Sequence, residues 1–488
     1  MGLDFASMGR LHDVRADEVW ESNHLANRTA RRAGLLAKLG VGPGTVVAIA
    51  HGGAPAFFAD LFAVWTLGAC AACLNPRLTL GELENIVGFV DAKLILASEE
   101  HTLGNDVAGV PVSCGVGDAD DSTMSSTARS NEGGLAENPA LILFTSGTTG
   151  DPKGVVHTFG SIAARIRLNR QQIGDATMAR TLCLLPTHFG HGLIGNCLTP
   201  LFAGADLFLF PDMGVTDAPR LGPTISEKNI TFMSSVPTMW KLALKLSQRP
   251  ARNSLQRIQV GSAPLSADLW RSIQTWAGVE DVVNVYGITE TANWVAGASG
   301  KDFEPEDGLV GRMWGGEAAV VGQDGVRRDR GEGELVVRTP SIMKGYFLRD
   351  DLTDQVVRDG WYHTGDVGCI GADGVIRLTG RQKSEINKAG MKIHPEELDL
   401  LLERHPLVAE ACAFGIPDEY SGELVGVAFR LADGASIEPF ELKAWCGEHI
   451  KPDAVPDRWY AVAEIPKTDR GKVNRLTVRD KCIAAGDR

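Results

Sequence analysis

The chain lacks the long uninterrupted apolar run that a membrane-spanning helix needs. Its most hydrophobic stretch, Pro55 to Leu74, contains Asp60 and is broken by Gly68, so it predicts a buried helix followed by a strand. The segment Met1–Arg10 has no apolar signal-peptide core. We therefore expect a cytoplasmic protein with no membrane span.

Basic residues are outnumbered by acidic ones, 48 to 61. The formal net charge is −13 and no long basic run interrupts the acidic balance, which disfavours nucleic acid or an anionic membrane surface as a partner.

The nine cysteines are scattered, and Cys70 and Cys73 form the only CxxC pair. No second pair or nearby histidine completes a zinc set, so buried structural thiols are favoured over a redox or metal role.

The length and the order of patterns predict two domains. A chain of 488 residues is too long for one core. Strand-like and helical runs alternate through the first two thirds, which predicts parallel sheets covered by helices. The predicted strands are 46–51, 92–97, 141–144, 181–185, 205–210 and 230–234, and the helical patterns include 161–173 and 237–247. From about 311 to 380 Asp-Gly turns predict antiparallel hairpins, and a compact α+β segment follows. We place the domains at 1–382 and 383–488.

A glycine-rich loop follows the apolar strand at 141–144. The string TSGTTGDPKGV, Thr145 to Val155, offers backbone and hydroxyl donors and one cation, Lys153, which suits the oxygens of a polyphosphate. It is not a Walker A loop, because the Gly-Lys-Ser/Thr ending is absent. On composition alone it could equally be a plain connecting loop.

The amino-acid sequence of this loop resembles the phosphate loop of the acyl-adenylate-forming (AMP-binding) enzymes. Further motifs follow in the order of that family, and the resemblance covers the chain from about Val41 to the end. Within the family the chain looks most like a free-standing acyl-CoA synthetase. The resemblance implies an α/β fold: a large N-terminal domain of two α/β-sheet subdomains plus a small β-barrel, and a small mobile α+β C-terminal domain. It also implies ATP-dependent activation of a carboxylic acid to an acyl-adenylate, with ATP and Mg²⁺, followed by thioester formation with coenzyme A.

The nucleotide site carried over by this resemblance centres on NVYGITE, at 284–290. Tyr286 offers a flat face to adenine, Thr289 contacts the α-phosphate, and Glu290 holds the magnesium ion. Asp366, in WYHTGDVG, accepts the ribose hydroxyls, and Arg381 makes a second ribose and phosphate contact. The remaining nucleotide contacts expected are Thr145, Ser146, Gly147, Thr148, Thr149, Gly150, Lys153, Gly261, Ser262, Ala263, Asn284 and Gly287.

The acid pocket is less well defined. In LLPTHFGHGL, at 184–193, the position where many relatives carry a histidine is Phe189, so any role of that histidine is absent or falls to His191. The expected pocket residues are Phe189, His191, Ser235, Asn293 and Trp294. We expect Trp294 to close the pocket and to favour short acids; the alternative is that it packs in the core.

The last domain carries the expected catalytic cation. Lys472, in PKTDRGKVNR, is expected to bridge the attacking carboxylate and the α-phosphate, acting with Thr289 and Glu290. Lys383 matches the hinge about which relatives rotate this domain, and Gly390 would leave room for the pantetheine chain. Lys388 and Lys392 are either phosphate contacts or ordinary surface charge.

The sequence leaves the acceptor and the acid open. The expected partners are a small carboxylic acid and coenzyme A. One alternative is an enzyme that transfers the acyl group to a carrier protein or to a nitrogen nucleophile. Another is a nucleotide-binding pseudoenzyme. Whether the chain forms a homodimer also stays open. The expected pocket positions contain no acidic residue, which disfavours amino acids as substrates.

Overall fold

The computed structural model describes residues 3–98, 103–114, 136–145, 153–211, 213–388, 391–468 and 472–486. Within these ranges the chain builds three sheets covered by helices. The predicted α/β class is confirmed, and so is each predicted strand and helix named above, with ends shifted by at most two residues.

The first sheet has a parallel centre and an antiparallel arm. In spatial order its strands are Arg327–Arg328, Glu317–Val321, Gly331–Arg338, Trp361–Ile370, Ile376–Arg381, Leu309–Met313, Trp294–Ser299, Val282–Gly287, Arg257–Gly261, Phe232–Ser235, Arg180–Cys183, Asp206–Leu209, Leu11–Asp13 and Glu18–Trp20, with Val357–Arg358 paired beside Trp361–Ile370. The arm from 309 to 381 contains the predicted hairpins. It corresponds to the expected small barrel, and the pairing of 294–299 with 309–313 joins it to the parallel strands.

The second sheet is built from the first third of the chain and one later strand, Gly345–Tyr346. Its strands, in spatial order, are Gly345–Tyr346, Lys153–Thr158, Pro139–Thr145, Cys70–Cys73, Val46–Ile49, Ala92–Ala97, Val110–Cys114 and Asp106–Val107. The stretch at 55–74 forms a buried helix and a buried strand, as predicted. Within the described ranges, no helix combines the length and the apolar character that a bilayer span needs.

Helices cover both faces of these sheets. They begin where the sequence supplies caps: Thr79 and Thr158 each close a capping box with the residue three positions on. The α-helices are Ser22–Lys38, Pro55–Thr66, Leu80–Phe89, Phe159–Ile173, Thr199–Phe202, Leu221–Glu227, Pro237–Leu246, Ala267–Ala277, Asp350–Val356, Pro395–Glu403, Pro439–His449 and Arg475–Gly486, and a π-helix spans His191–Leu198.

The third sheet belongs to the C-terminal segment. Its strands are Met391–Ile393, Ile386–Lys388, Gly422–Leu431, Val408–Asp418 and Arg458–Ala461, packed against the helices at 395–403, 439–449 and 475–486. This segment contacts the rest of the chain through the ion pairs Lys241–Glu403, at 2.7 Å, and Arg404–Asp307. The predicted boundary at 382–383 falls in the 3₁₀ turn Gln382–Ser384 and stays a prediction.

Candidate active site

Four parallel strands end at one edge of the first sheet. The strands at 180–183, 232–235, 257–261 and 282–287 are neighbours in register, so the segments that follow them meet at their carboxyl ends. Space there is tight: a Cβ on Gly287 would lie 2.5 Å from the carbonyl oxygen of Asn293. Ser262 adopts a φ of 69°, which turns its hydroxyl toward the next strand-end segment. This edge therefore assembles the predicted motifs from distant parts of the chain.

Asp366 is bonded on both carboxylate oxygens. Arg381 Nε lies 2.7 Å from Asp366 Oδ1, and Tyr286 Oη donates to Asp366 Oδ2 at 2.5 Å. Asp366 is buried at 3 % exposure, and burial followed by its charge raises the pKa of Tyr286 well above the usual range. A carboxylate has about four lone-pair sites, so Asp366 retains room for two ribose hydroxyls.

Glu290 is held by tyrosines that the sequence reading did not single out. Tyr346 Oη donates to Glu290 Oε1 at 2.7 Å and lies 3.3 Å from Tyr362 Oη. Lys153 Nζ sits 3.6 Å from the centroid of the Tyr346 ring, so a cation and a carboxylate flank one tyrosine. Burial lowers the pKa of Lys153, and the charge of Glu290 opposes this shift. The chain contains only five tyrosines. Three of them, at 286, 346 and 362, line this site. The scarcity of tyrosine was the feature of the sequence that could have indicated Tyr346 and Tyr362.

Thr289 is fixed through its backbone. Its carbonyl oxygen accepts a hydrogen bond from His157 Nε2 at 2.8 Å. His157 is fully buried, and burial lowers its pKa to about 4, so the ring is neutral at pH 7. His157 therefore holds the 3₁₀ turn Thr289–Thr291 in place without adding charge beside the phosphate site.

The donor set suits a magnesium ion that arrives with its nucleotide. Among the described residues no group of three or more His, Cys, Asp or Glu side chains could hold a metal. Mg²⁺ commonly uses one or two carboxylates together with phosphate oxygens and water, so Glu290 alone fits that role.

His191 links three of the strand-end segments. Its Nδ1 lies 2.7 Å from Ser262 Oγ and its Nε2 lies 2.7 Å from Ser234 Oγ, while the edge of the Trp294 ring system packs on it at 5.3 Å. Burial, together with the charge of nearby Lys472, lowers the pKa of His191 to about 3. Lys472 is therefore close enough for its charge to act on His191.

The other predicted site residues differ in their surroundings. Phe189 is half-buried and packs against His188. Ser235 is fully buried; its hydroxyl donates to the Gln259 carbonyl oxygen and accepts from Trp240 Nε1. Ser234, which the sequence did not indicate, is the serine that contacts His191. Asn284 is buried too, and its amide donates to the Leu309 carbonyl oxygen, which ties strands together.

Backbone contacts hold Lys472 within the C-terminal segment. Lys467 and Val473 form a β-bridge, and Thr468 N donates to the Lys472 carbonyl at 2.7 Å. Lys388 pairs with Asp457 at 2.8 Å, and Lys392 pairs with Glu385 at 3.0 Å. Lys383 is exposed. Gly390 and the loop residues 146–150 lie outside the described residues.

Comparisons with known proteins identify the family. The model of the AMP-binding enzyme family matches residues 16–347, and that of the AMP-binding enzyme C-terminal domain matches residues 397–472. The chain belongs to the AMP-binding enzyme family. It is 31 % identical to the oxalate–CoA ligase of Arabidopsis thaliana, over 96 % of this chain and 92 % of that one. It is 32 % identical to a feruloyl-CoA synthase of an Amycolatopsis species, over 93 % and 92 % of the two chains.

The fold comparison agrees. ATP-bound MatB from Rhodopseudomonas palustris superimposes with a TM-score of 0.86 at 24 % identity, covering 97 % of this chain and 96 % of that one. The predictions of the family, of the fold and of an acid-activating CoA ligase are confirmed by these matches.

Proposed function

We propose that this member of the AMP-binding family converts a carboxylic acid to its acyl-adenylate with MgATP and then transfers the acyl group to coenzyme A. The observation that carries the proposal is the set of groups at this end of the sheet: Asp366 is bonded to Tyr286 on the strand Val282–Gly287, Glu290 follows that strand, and the charge of Lys472 acts on His191.

In the first half-reaction a carboxylate oxygen forms a bond to the α-phosphorus and the bond to pyrophosphate breaks. Lys472 holds the acid oxygen and the α-phosphate together as negative charge develops between them. Lys153 neutralises the departing phosphates, Asp366 and Arg381 orient the ribose, and Glu290 binds the magnesium ion. That ion, when bound, stabilises negative charge on the phosphates. His191 stays neutral and orients the acid through its bonded ring.

In the second half-reaction the thiol sulfur bonds to the acyl carbon and AMP leaves. Lys472 cannot occupy the site while the thiol enters, so the C-terminal segment must turn, and Lys383 is the proposed pivot. The ion pairs Lys241–Glu403 and Arg404–Asp307 would break in that movement because each joins the C-terminal segment to the main body. The effect of the Lys472 charge on His191 supports assigning the described arrangement to adenylate formation.

The proposal is tested by product analysis. Acid-dependent pyrophosphate release measures the first step, and mass analysis after addition of millimolar coenzyme A measures the second. Gly390→Leu should block thioester formation and leave pyrophosphate release nearly intact. If adenylate accumulates with coenzyme A present and no acyl-CoA forms with any activated acid, the acceptor is wrong, and a carrier protein or a nitrogen nucleophile takes its place.

A further inference from the structure

Buried polar atoms without partners lie on the segments around His191, a region named the chamber for the four residues that carry them. The amide nitrogen and oxygen of both Asn196 and Gln259, Asn293 Nδ2 and Trp294 Nε1 find no hydrogen-bond partner among the described residues. All four residues are at most 4 % exposed. Native proteins leave few buried polar atoms unpaired, so such a group in one place indicates a ligand or internal water.

The contacts of Gly195 bring two of these side chains to the π-helix. The Cβ position of Gly195 lies 1.9 Å from Asn293 Nδ2 and 2.7 Å from the Trp294 ring, so both side chains lie directly over this point of the π-helix. Asn196 is the next residue of that helix. The chamber therefore has one wall formed by the π-helix and another by the segment after Thr291.

The sheet supplies the third wall. Gln259 is in register with Ser234, whose hydroxyl bonds to His191 at the start of the π-helix. Gln259 is also in register with Val283, which packs in one cluster with Trp294. Because laterally paired residues of parallel strands point to the same face, the Gln259 amide faces the same space.

The chamber includes the surroundings of His191 and is bordered by tryptophan rings. The charge of Lys472 acts on His191, the His191 ring contacts Trp294 at 5.3 Å between ring centroids, and Trp314 contacts Trp294 at 6.3 Å. An acid whose carboxylate meets Lys472 would therefore direct its tail past His191 to these amides, and a long chain would meet Trp294.

The chemistry of the chamber is polar and uncharged. Asn196, Gln259, Asn293 and Trp294 bring no charge, and the buried cation Arg165 uses its donors on Ser341, Thr339 and the Trp314 carbonyl. A second carboxylate would be buried there without a counter-charge, which is unfavourable. A hydrocarbon tail would leave the amides unpaired.

Resting on the proposed function, we infer that the natural acid is short and ends in a neutral group that both donates and accepts hydrogen bonds, a hydroxyl or a primary amide, bound by Asn196, Gln259 and Asn293.

The first test ranks acids by their tails in the pyrophosphate-release assay. Pentanoate, 4-hydroxybutanoate, succinamate and succinate give hydrocarbon, hydroxyl, amide and carboxylate ends at similar length, and benzoate with 4-hydroxybenzoate repeats the comparison on a flat skeleton. We expect kcat/KM for the neutral polar tails to exceed that of their hydrocarbon and ionised partners at least tenfold. Equal use of all tails, as internal water at the amides would allow, or preference for hydrocarbon or ionised tails, would overturn the inference and leave the proposed function intact. If no acid of any class supports pyrophosphate release, the proposed function is wrong and the inference fails with it.

The second test removes the amides. Gln259→Met and Asn196→Leu keep volume and remove hydrogen bonds, so each should lower the ratio of kcat/KM between the hydroxyl acid and its hydrocarbon partner at least tenfold. Gln171→Met, on an exposed glutamine of the helix Phe159–Ile173, is the matched control and should leave that ratio unchanged. An unchanged ratio in folded Gln259→Met and Asn196→Leu would contradict the assignment, and the wild-type ranking decides alone if neither variant folds.

Discussion

Removal of the Lys472 ammonium should separate the two half-reactions. The backbone of Lys472 accepts a hydrogen bond from Thr468 N, and the next residue, Val473, bridges to Lys467, so Lys472→Ala removes the ammonium and keeps these backbone contacts. One preorganised donor at a developing transition state is worth a factor of about 10² to 10³ in rate, or about 3 to 4 kcal/mol. We therefore expect acid-dependent pyrophosphate release to fall at least 100-fold.

The neighbouring histidine cannot replace the lost charge. His191 has a pKa of about 3, chiefly because it is buried, so it stays neutral between pH 5 and 8. Lowering the pH to 5 should therefore not restore pyrophosphate release to Lys472→Ala. Recovery at acidic pH would show that burial holds the His191 pKa down less strongly than the structure indicates.

The assay compares pyrophosphate release with attack of coenzyme A on pre-formed acyl-adenylate. The second rate should stay within a few-fold of wild type, because Lys472 leaves the site before the thiol enters. Lys443→Ala, at an exposed lysine of the same domain, is the control and should affect neither rate. Equal loss of both half-reactions in Lys472→Ala would refute the alternation of the C-terminal segment.

Three further changes probe the nucleotide site, the acid pocket and the acid stability. Asp366→Asn removes the carboxylate that pairs with Arg381 and that is proposed to accept the ribose hydroxyls. Losing a charge-assisted hydrogen bond costs about 1.5 to 3 kcal/mol, so KM for ATP should rise at least tenfold in steady-state kinetics. Trp294→Ala should improve kcat/KM for longer acids relative to shorter ones; an unchanged chain-length profile in the folded variant would place Trp294 outside the pocket. Because burial depresses the folded-state pKa of His157 to about 4, the unfolded chain binds more protons below pH 6.5, and stability falls as pH falls from there toward 4. Between pH 7 and 5 this histidine should lower the free energy of unfolding by about 2 kcal/mol, and His157→Gln should flatten that dependence in urea denaturation, whereas an equally steep profile in the variant would contradict it.

The sequence alone determined the strands, the family and the nucleotide motifs. Apolar runs bounded by turn residues indicate strands because local patterning and burial act together, and each such run named above forms a strand in the structure. Tyr286, Glu290 and Asp366 could be predicted as nucleotide contacts because their motifs are short, contiguous strings in which the chemistry is local.

Only the tertiary structure decided which side chains share a space. Ser234 and Ser235 are adjacent in sequence, yet Ser234 meets His191 whereas Ser235 is bonded to the Gln259 carbonyl and to Trp240. Successive residues of a strand point to opposite faces, and the packing of the π-helix selects which face becomes the pocket. Sequence could place both serines at a strand end but could not say which of them the pocket would receive.

The same reason explains the missed tyrosines and amides. Tyr346 lies 56 residues from Glu290 in sequence, and their bond exists because separate sheets bring them together. Asn196 and Gln259 carry no motif, and they stand out only because folding buries their amides without a partner. A motif records chemistry that is contiguous along the chain, whereas the shape and polarity of the acid pocket arise from residues that only the packing of helix against sheet makes neighbours.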